Sequence, residues 1–303
     1  MRKFSLTSIN ESAAENAEKF ISESENSFDK ALNDAVEGFP AKSRIVLLAG
    51  PSSSGKTTTA LKLAQKIRTG GRNAYTVSLD DFYRNCTEIP FGADGLRDFE
   101  NVTALDLDLI GETFSALIEK GRADLPLFNF KTGSRMTETR HIEMNRDDII
   151  IVEGLHALNP VISQGIDEAQ LYKIYISVSS RVLDEKGEIL LNKRNLRLAR
   201  RIIRDYHHRN MSAERTLLQW QSVLNGEDKY LFPYESYADI KIDSFHPYEP
   251  CIIRDSLIPL LSTVESDSTV FPKAEELKNA FLRTGEMASS LLPENSLLCE
   301  FLR

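Results

Sequence analysis

Two hydrophobic rhythms alternate along most of the chain. Short apolar runs at Ile45–Ala49, Ala74–Leu79, Ile149–Val152 and Leu171–Val178 have the length and β-branched content of buried strands. Ala238–Asp243 completes a set of five. Between them, apolar residues recur three and four apart, as in Ala60, Leu61, Ala64 and Ile67. Leu109, Ile110, Phe114, Leu117 and Ile118 repeat the pattern and stop at Gly121. Strands separated by helical segments predict an α/β fold, a parallel sheet with helices on both faces.

The flanks are helical in pattern. Residues 1–40 place Ala13, Ala17, Phe20, Ile21, Phe28, Leu32, Ala35, Val36 and Phe39 at helical spacing and end at Gly38 and Pro40. One or two amphipathic helices are expected there, packed on the core or offering a contact to a second copy. Residues 265–303 predict further helix, with Leu277, Phe281, Leu291 and Leu292 packing. Thr103-x-x-Asp106 reads as a helix start, and Ser212–Asn225 as a helix capped by Ser212 and ended by Gly226. Residues 85–100 read as a loop. Leu125–Arg135, with alternating aromatics, fits either a hairpin or an edge strand. The organisation expected is a helical extension at 1–40, a core at 41–264 and a helical extension at 265–303.

Composition narrows the class. The 41% hydrophobic and 27% charged content is that of a globular protein. A net charge of −8 argues against a nucleic-acid partner, which needs a basic footprint. Three scattered cysteines (Cys86, Cys251, Cys299) offer neither a disulfide framework nor zinc spacing. No apolar run approaches a membrane span, and the N-terminus lacks the apolar core of a signal peptide. A cytoplasmic protein is expected, with no membrane partner.

The first strand runs into Gly50-Pro51-Ser52-Ser53-Ser54-Gly55-Lys56-Thr57, a full match to G-x-x-x-x-G-K-[ST], with Thr58 following and a helix opening at once. The glycines let backbone N–H groups turn inward around phosphate oxygens. Lys56 brings a cation to the terminal phosphates, Thr57 a hydroxyl for Mg²⁺, and the helix its positive dipole end. This predicts a P-loop NTPase, a three-layer α/β/α fold on a five-stranded parallel sheet. Glu153, ending the third run, and the Asp80-Asp81 pair, ending the second, stand where such sheets place their ligands. Thr57, Glu153 and Asp80 are the candidate Mg²⁺ ligands. Five arginines fall within residues 197–209, at 197, 200, 201, 204 and 209, on a stripe beside Leu196, Ala199, Ile202 and Ile203. In an acidic chain, such a cluster next to a phosphate loop predicts a helical lid at about 194–211 that clamps phosphates. His207 and His208 read as lid or surface residues. A GTPase switch is disfavoured, because Asn192-Lys-Arg-Asn195 lacks the final Asp of a guanine-reading motif.

GPSSSGKTT, SLDDFY, FNFKTGSR, IIIVEGLHALNP, KIYIS, RLARRIIRDYHHR and the final PENSLLCEFL resemble the uridine kinase and phosphoribulokinase family, from about residue 41 to 303. The likeness is nearest to bacterial uridine kinase-related proteins in which this unit follows a threonyl-tRNA-synthetase-like domain. In place of that domain, residues 1–40 are expected to form a short helical lead. The resemblance implies ATP-dependent transfer of the γ-phosphoryl group to a hydroxyl, with Mg²⁺. It implies Asp80 as the acid that accepts the hydroxyl proton, Lys56 at the phosphates, and Arg200, Arg204 and Arg209 in the lid. It places Tyr83, Glu100, Phe128, Phe130 and Arg135 at the acceptor. Two departures stand out: uridine kinases keep a histidine in the segment matching Lys131–Ser134, and residues 182–195 are an insertion. The acceptor is expected to be a nucleoside, with a sugar phosphate, pantothenate, a polyol, or a non-catalytic regulatory role left open.

Overall fold

The computed structural model describes residues 2–91, 95 and 97–303. A short strand, β1 (Lys3–Ser5), leads into α1 (Leu6–Glu15) and α2 (Ala17–Glu37). Asn16 breaks and restarts the helix, its side-chain oxygen accepting from the Lys19 N–H at 2.9 Å. Ile21, Phe28, Leu32 and Ala35 then form the buried stripe. β2 (Ile45–Ala49) runs through the glycine-rich loop into α3 (Lys56–Thr69), followed by β3 (Ala74–Ser78) and α4 (Leu107–Lys120). β4 (Arg122–Leu125) pairs antiparallel with β7 (Arg140–Glu143), and between them β5 (Phe128–Asn129) pairs with β6 (Ser134–Arg135). β8 (Ile149–Glu153) and β9 (Leu171–Ser177) precede a hairpin of β10 (Arg181–Leu183) and β11 (Ile189–Leu191). Helices α5 (Lys193–Arg209) and α6 (Ala213–Tyr230), strand β12 (Ile240–Asp243), and helices α7 (Glu249–Leu261), α8 (Phe271–Leu282) and α9 (Cys299–Leu302) finish the chain.

The main sheet has the order β12-β9-β2-β8-β3, with every neighbouring pair parallel. Period-two alternation splits its side chains between two apolar layers. Val46 and Leu48 face a layer with α2, α3, α5 and α7, whereas Ile45, Leu47 and Ala49 face one with α4. This is the expected α/β/α arrangement. Both terminal extensions join the first layer, through Leu6, Phe28 and Leu32 at one end and Phe281, Leu297 and Phe301 at the other. The 182–195 insertion is no loose loop: its hairpin pairs with β1, so an insertion and the N-terminal lead build one small sheet.

Several local expectations need correction. Ala74–Ser78 is the sheet's edge strand, with Tyr75, Thr76 and Ser78 only half-buried, and Leu79 already belongs to the next turn. No α-helix separates β8 from β9; turns and one short 3-10 segment make that connection. Helix α4 is capped by Asp106, which accepts from the Leu109 N–H at 3.3 Å, while Thr103 lies in a preceding turn. Leu125–Arg135 contains a hairpin. Helix α6 passes through Gly226 to Tyr230, because that position needs hydrogen rather than a turn: a Cβ there would strike the Glu100 side chain. Of the predicted 85–100 loop, positions 92–94 and 96 lie outside the described residues.

Leu32 is fully buried where α2 meets the core. Leu32→Ala should cost about 2–5 kcal/mol in denaturant unfolding, within a single transition. An unchanged midpoint would mean that the N-terminal helices add nothing to the core.

Candidate active site

Strand register assembles the site. Leu48 of β2 and Ser78 of β3 both stand opposite Glu153 of β8. The glycine-rich loop starts after Ala49 and Asp80 lies just past Ser78, so loop, Glu153 and Asp80 meet at the carboxyl edge of one parallel sheet. Gly55, in left-handed conformation at φ 85°, turns the loop into α3. Lys56 Nζ donates to the Pro51 carbonyl at 3.3 Å, folding the ammonium over the loop. Ser53 and Ser54 are buried with hydroxyls lacking a described partner. Thr57 Oγ1 donates to Glu153 Oε1 at 3.1 Å, and Ser78 Oγ donates to the same oxygen at 2.8 Å.

Burial and then the nearby Asp80 carboxylate raise the Glu153 pKa, while Lys56 and Ser78 oppose the shift. Two carboxylates and a hydroxyl facing one another suit a hard cation that completes its shell with phosphate oxygens. Among the described residues no group of three or more His, Cys, Asp and Glu side chains forms a ready-made metal cage. The donor set therefore fits Mg²⁺ brought with a nucleotide.

The two aspartates after β3 separate into different roles. Asp81 Oδ1 accepts from the Phe128 N–H at 3.4 Å, and burial raises its pKa. Asp80 has no side-chain hydrogen bond to a described group, yet its charge acts on Glu153, Tyr83, Glu100 and Arg209. Among the described residues it is a carboxylate without a hydrogen-bond commitment, set beside Glu153 and the lid arginines.

The arginine helix is not the free clamp its stripe suggests. Asn192 caps α5 by accepting from the Arg194 and Asn195 N–H groups at 2.8 and 2.9 Å. Most of the helix is then buried, including Arg197, Arg200 and Arg201. Arg197 Nε donates to the Ser52 carbonyl at 2.9 Å, and its guanidinium pairs with buried Glu227, whose Oε1 also accepts from the Ser52 N–H at 3.0 Å. Arg200 is committed to Glu249 through two bonds of 2.6 Å, to Ser244 and to the Ser53 carbonyl. With its donors so occupied, Arg200 braces the loop from behind; this corrects its expected place as a phosphate clamp. Arg201 instead reaches the loop's Ser52 hydroxyl at 2.6 Å.

Buried Asp205 gathers Arg201, Arg204 and Arg209. Burial lowers the Arg209 pKa to about 10, with Arg204 adding to the effect, and its guanidinium lies 5.3 Å from the Phe130 ring. Tyr206, His207 and His208 face solvent, as expected for the two histidines.

On the other side of Asp80, Tyr83, Phe99, Phe128 and Phe130 form an aromatic cluster with centroid spacings of 5.1–6.3 Å. Tyr83 Oη donates to the Phe99 carbonyl at 3.1 Å. Arg135 donates to Asp106 and to the Tyr83 carbonyl at 3.3 and 3.2 Å, which ties the hairpin down beside the expected acceptor side. Glu100, in the turn before α4, rests its side chain against Gly226 of α6, without a described hydrogen bond to its carboxylate. Burial raises its pKa to about 7, with Arg201 opposing. His156 is a buried neighbour of Tyr230, its pKa lowered by burial to about 4 and both ring nitrogens without a described partner.

Glu227 and Glu249 had no sequence signal, and Ser78 and His156, though inside SLDDFY and IIIVEGLHALNP, carried no role of their own. Each is a single residue whose meaning depends on what the fold sets opposite it. Arg197 and Arg201 were visible in the stripe, but which side of the loop each meets was not.

A model of the phosphoribulokinase / uridine kinase family matches residues 45–248. Uridine kinase of Bacillus pumilus (strain SAFR-032) is 29% identical over 203 residues, covering 67% of this chain and 87% of the relative. Uridine kinase of Bacillus subtilis (strain 168) is 25% identical over 199 residues, covering 65% and 84%. Among solved structures, phosphoribulokinase from Rhodobacter spheroides aligns over 69% of this chain and 74% of its own, at 21% identity and a TM-score of 0.43, a likeness too distant to weigh.

Glu100 supplies a pH-dependent test. Its folded pKa of about 7 stands above the ordinary 4.5, so its contribution to stability is complete below pH 4.5 and is lost as pH rises to 7. Glu100→Gln should therefore gain on the wild type across that window, by about 3 kcal/mol at pH 8. Thermal unfolding of both proteins from pH 4 to 9 measures it; a gap that does not vary with pH would refute the shifted carboxyl.

Proposed function

The chain belongs to the phosphoribulokinase / uridine kinase family, and we propose that it transfers the γ-phosphoryl group of ATP to a hydroxyl of a nucleoside. The observation that carries this reading is Asp80, an uncommitted carboxylate between the phosphate loop and an aromatic cluster.

The phosphates of ATP lie in the 50–58 loop, with Lys56 leaving the Pro51 carbonyl for the terminal phosphate. Thr57 and Glu153 would hold Mg²⁺, which would supply charge neutralisation on the phosphates. Asp80 orients the acceptor hydroxyl and takes its proton as the oxygen bonds to the γ-phosphorus and ADP leaves. Because the transition state is loose, position and charge neutralisation matter more than base strength. Lys56, Arg204 and Arg209 surround that charge, Arg204 and Arg209 from the half-buried end of α5. Closing the site over the phosphates excludes water and limits hydrolysis.

A nucleoside suits the acceptor side because Tyr83, Phe128 and Phe130 offer ring faces for a base, and the half-buried Glu100 offers an acceptor for sugar hydroxyls. A second reading keeps the chemistry and changes the acceptor to a sugar phosphate, pantothenate or a polyol. It is favoured by the β5–β6 turn, where Thr132 and Ser134 hydrogen-bond each other at 2.8 Å and no histidine reaches toward a base.

ADP release measured against a panel of nucleosides, sugar phosphates, pantothenate and polyols decides between them. Turnover with uridine or cytidine supports the first reading, turnover confined to the others the second, and none with any acceptor removes both. With the active acceptor, Asp80→Asn should lower kcat about 10²–10⁴-fold; near-normal turnover would take Asp80 out of the proton-accepting role. Lys56→Ala should cost on the order of 3 kcal/mol in kcat/KM, read from the same steady-state assay.

A further inference from the structure

The first turn of α3 carries N–H groups that have no partner inside the helix, and these are what a phosphate attracts. One of them is already taken. The Thr58 N–H donates to Glu300 Oε2 at 3.1 Å, and the Thr58 hydroxyl donates to the same oxygen at 2.8 Å. A carboxylate oxygen with two short donors on a phosphate-loop helix is chemically a substitute for a phosphate oxygen.

The C-terminal segment that presents Glu300 is firmly seated. Leu297, Leu298 and Phe301 are fully buried, and the Phe301 ring lies 5.2 Å from the guanidinium carbon of Arg200, which braces the loop. Leu297 closes on the loop itself: a Cβ on Gly55 would come within 2.5 Å of its side chain. Ser296 Oγ is 3.0 Å from Tyr248 Oη, which in turn donates to Glu25 of α2 at 2.5 Å, so the N-terminal extension secures this segment through the core. Glu300 itself is only half-buried. Its side chain can therefore leave Thr58 by changing rotamer while its backbone stays anchored.

We propose that Glu300 is a donor-site residue supplied by the C-terminal segment, whose carboxylate competes with a nucleotide phosphate for the Thr58 N–H and hydroxyl. The inference rests on the loop taking ATP. Binding costs the Glu300–Thr58 bonds and sets a negative charge beside the incoming phosphates, so Glu300 limits donor affinity. The segment thereby links the N-terminal extension to nucleotide binding, since Glu25 helps to hold it in place through Tyr248.

The test is the dissociation constant for Mg·ATP, by calorimetry, of the wild type, Glu300→Gln and Glu300→Ala, with thermal unfolding of each protein alone. Removing the competing charge should tighten Mg·ATP binding about tenfold in both variants, the scale of one hydrogen bond to a charged group, and lower KM for ATP in parallel. Unchanged or weaker binding in both folded variants would overturn the proposal and leave Glu300 as a brace for the helix end. The Ala variant guards against a Gln that keeps the Thr58 bonds. Wild-type protein that binds no Mg·ATP at all would remove the kinase reading and this inference with it, whereas wild-type binding with unaffected variants removes the inference alone.

Discussion

The shape of the phosphate loop depends on buried charge. Arg197, Arg200 and Arg201, on one helix, meet Ser52 and Ser53 of the loop, and Glu227 and Glu249 neutralise the first two out of contact with water. Such pairs are weak sources of net stability, because desolvation offsets their attraction. Breaking one is another matter, since it strands a buried charge at a cost of about 3–5 kcal/mol. The lattice therefore acts as a specification: few other loop conformations satisfy every donor and acceptor at once. A loop fixed in this way presents its N–H groups without reorganisation when a phosphate arrives, which is the condition for electrostatic stabilisation to count.

The sheet supplies the second constraint. Parallel strands in the observed register bring three separate carboxyl ends to one line, so Thr57, Glu153 and Asp80 converge although 23 to 96 positions separate them in the chain. Crowding acids in a half-buried place has an electrostatic consequence, visible in the raised Glu153 and Glu100 pKa values. A site that holds its acids partly protonated is one completed by cations, here Lys56 and the arginines of α5.

The strands of the sheet were legible because a buried parallel strand needs consecutive apolar residues, and Ile45–Ala49 and Ile149–Val152 can hardly be anything else. The phosphate loop was legible because its chemistry requires a fixed spacing of glycine, lysine and hydroxyl. Gly226 misled because glycine has two uses, ending a helix and admitting a close neighbour, and only the fold brings Glu100 against it. The arginine stripe misled in a related way. Spacing told which residues share a face of α5, but whether Arg200 meets phosphate or Glu249 depends on what α7 places there. The strand role of the 182–195 insertion was hidden because β1 and β10 are three residues each, too short to show a period.

The two halves of the site are built to different standards, and that difference bears on how far family membership reaches. On the donor side most loop residues are held by backbone, arginine or carboxylate, so a substitution such as one at Ser52 breaks several contacts at once. On the acceptor side the strands β5 and β6 are two residues long, Phe130 is 49% exposed, and the Glu100 carboxylate has no described bond. Few contacts oppose change in such a surface, so it can be reshaped while the chemistry beside it stays fixed. Membership of a kinase family therefore transfers the phosphoryl-transfer machinery to this chain with force, and the identity of the hydroxyl it serves with much less, because only the first is enforced by packing.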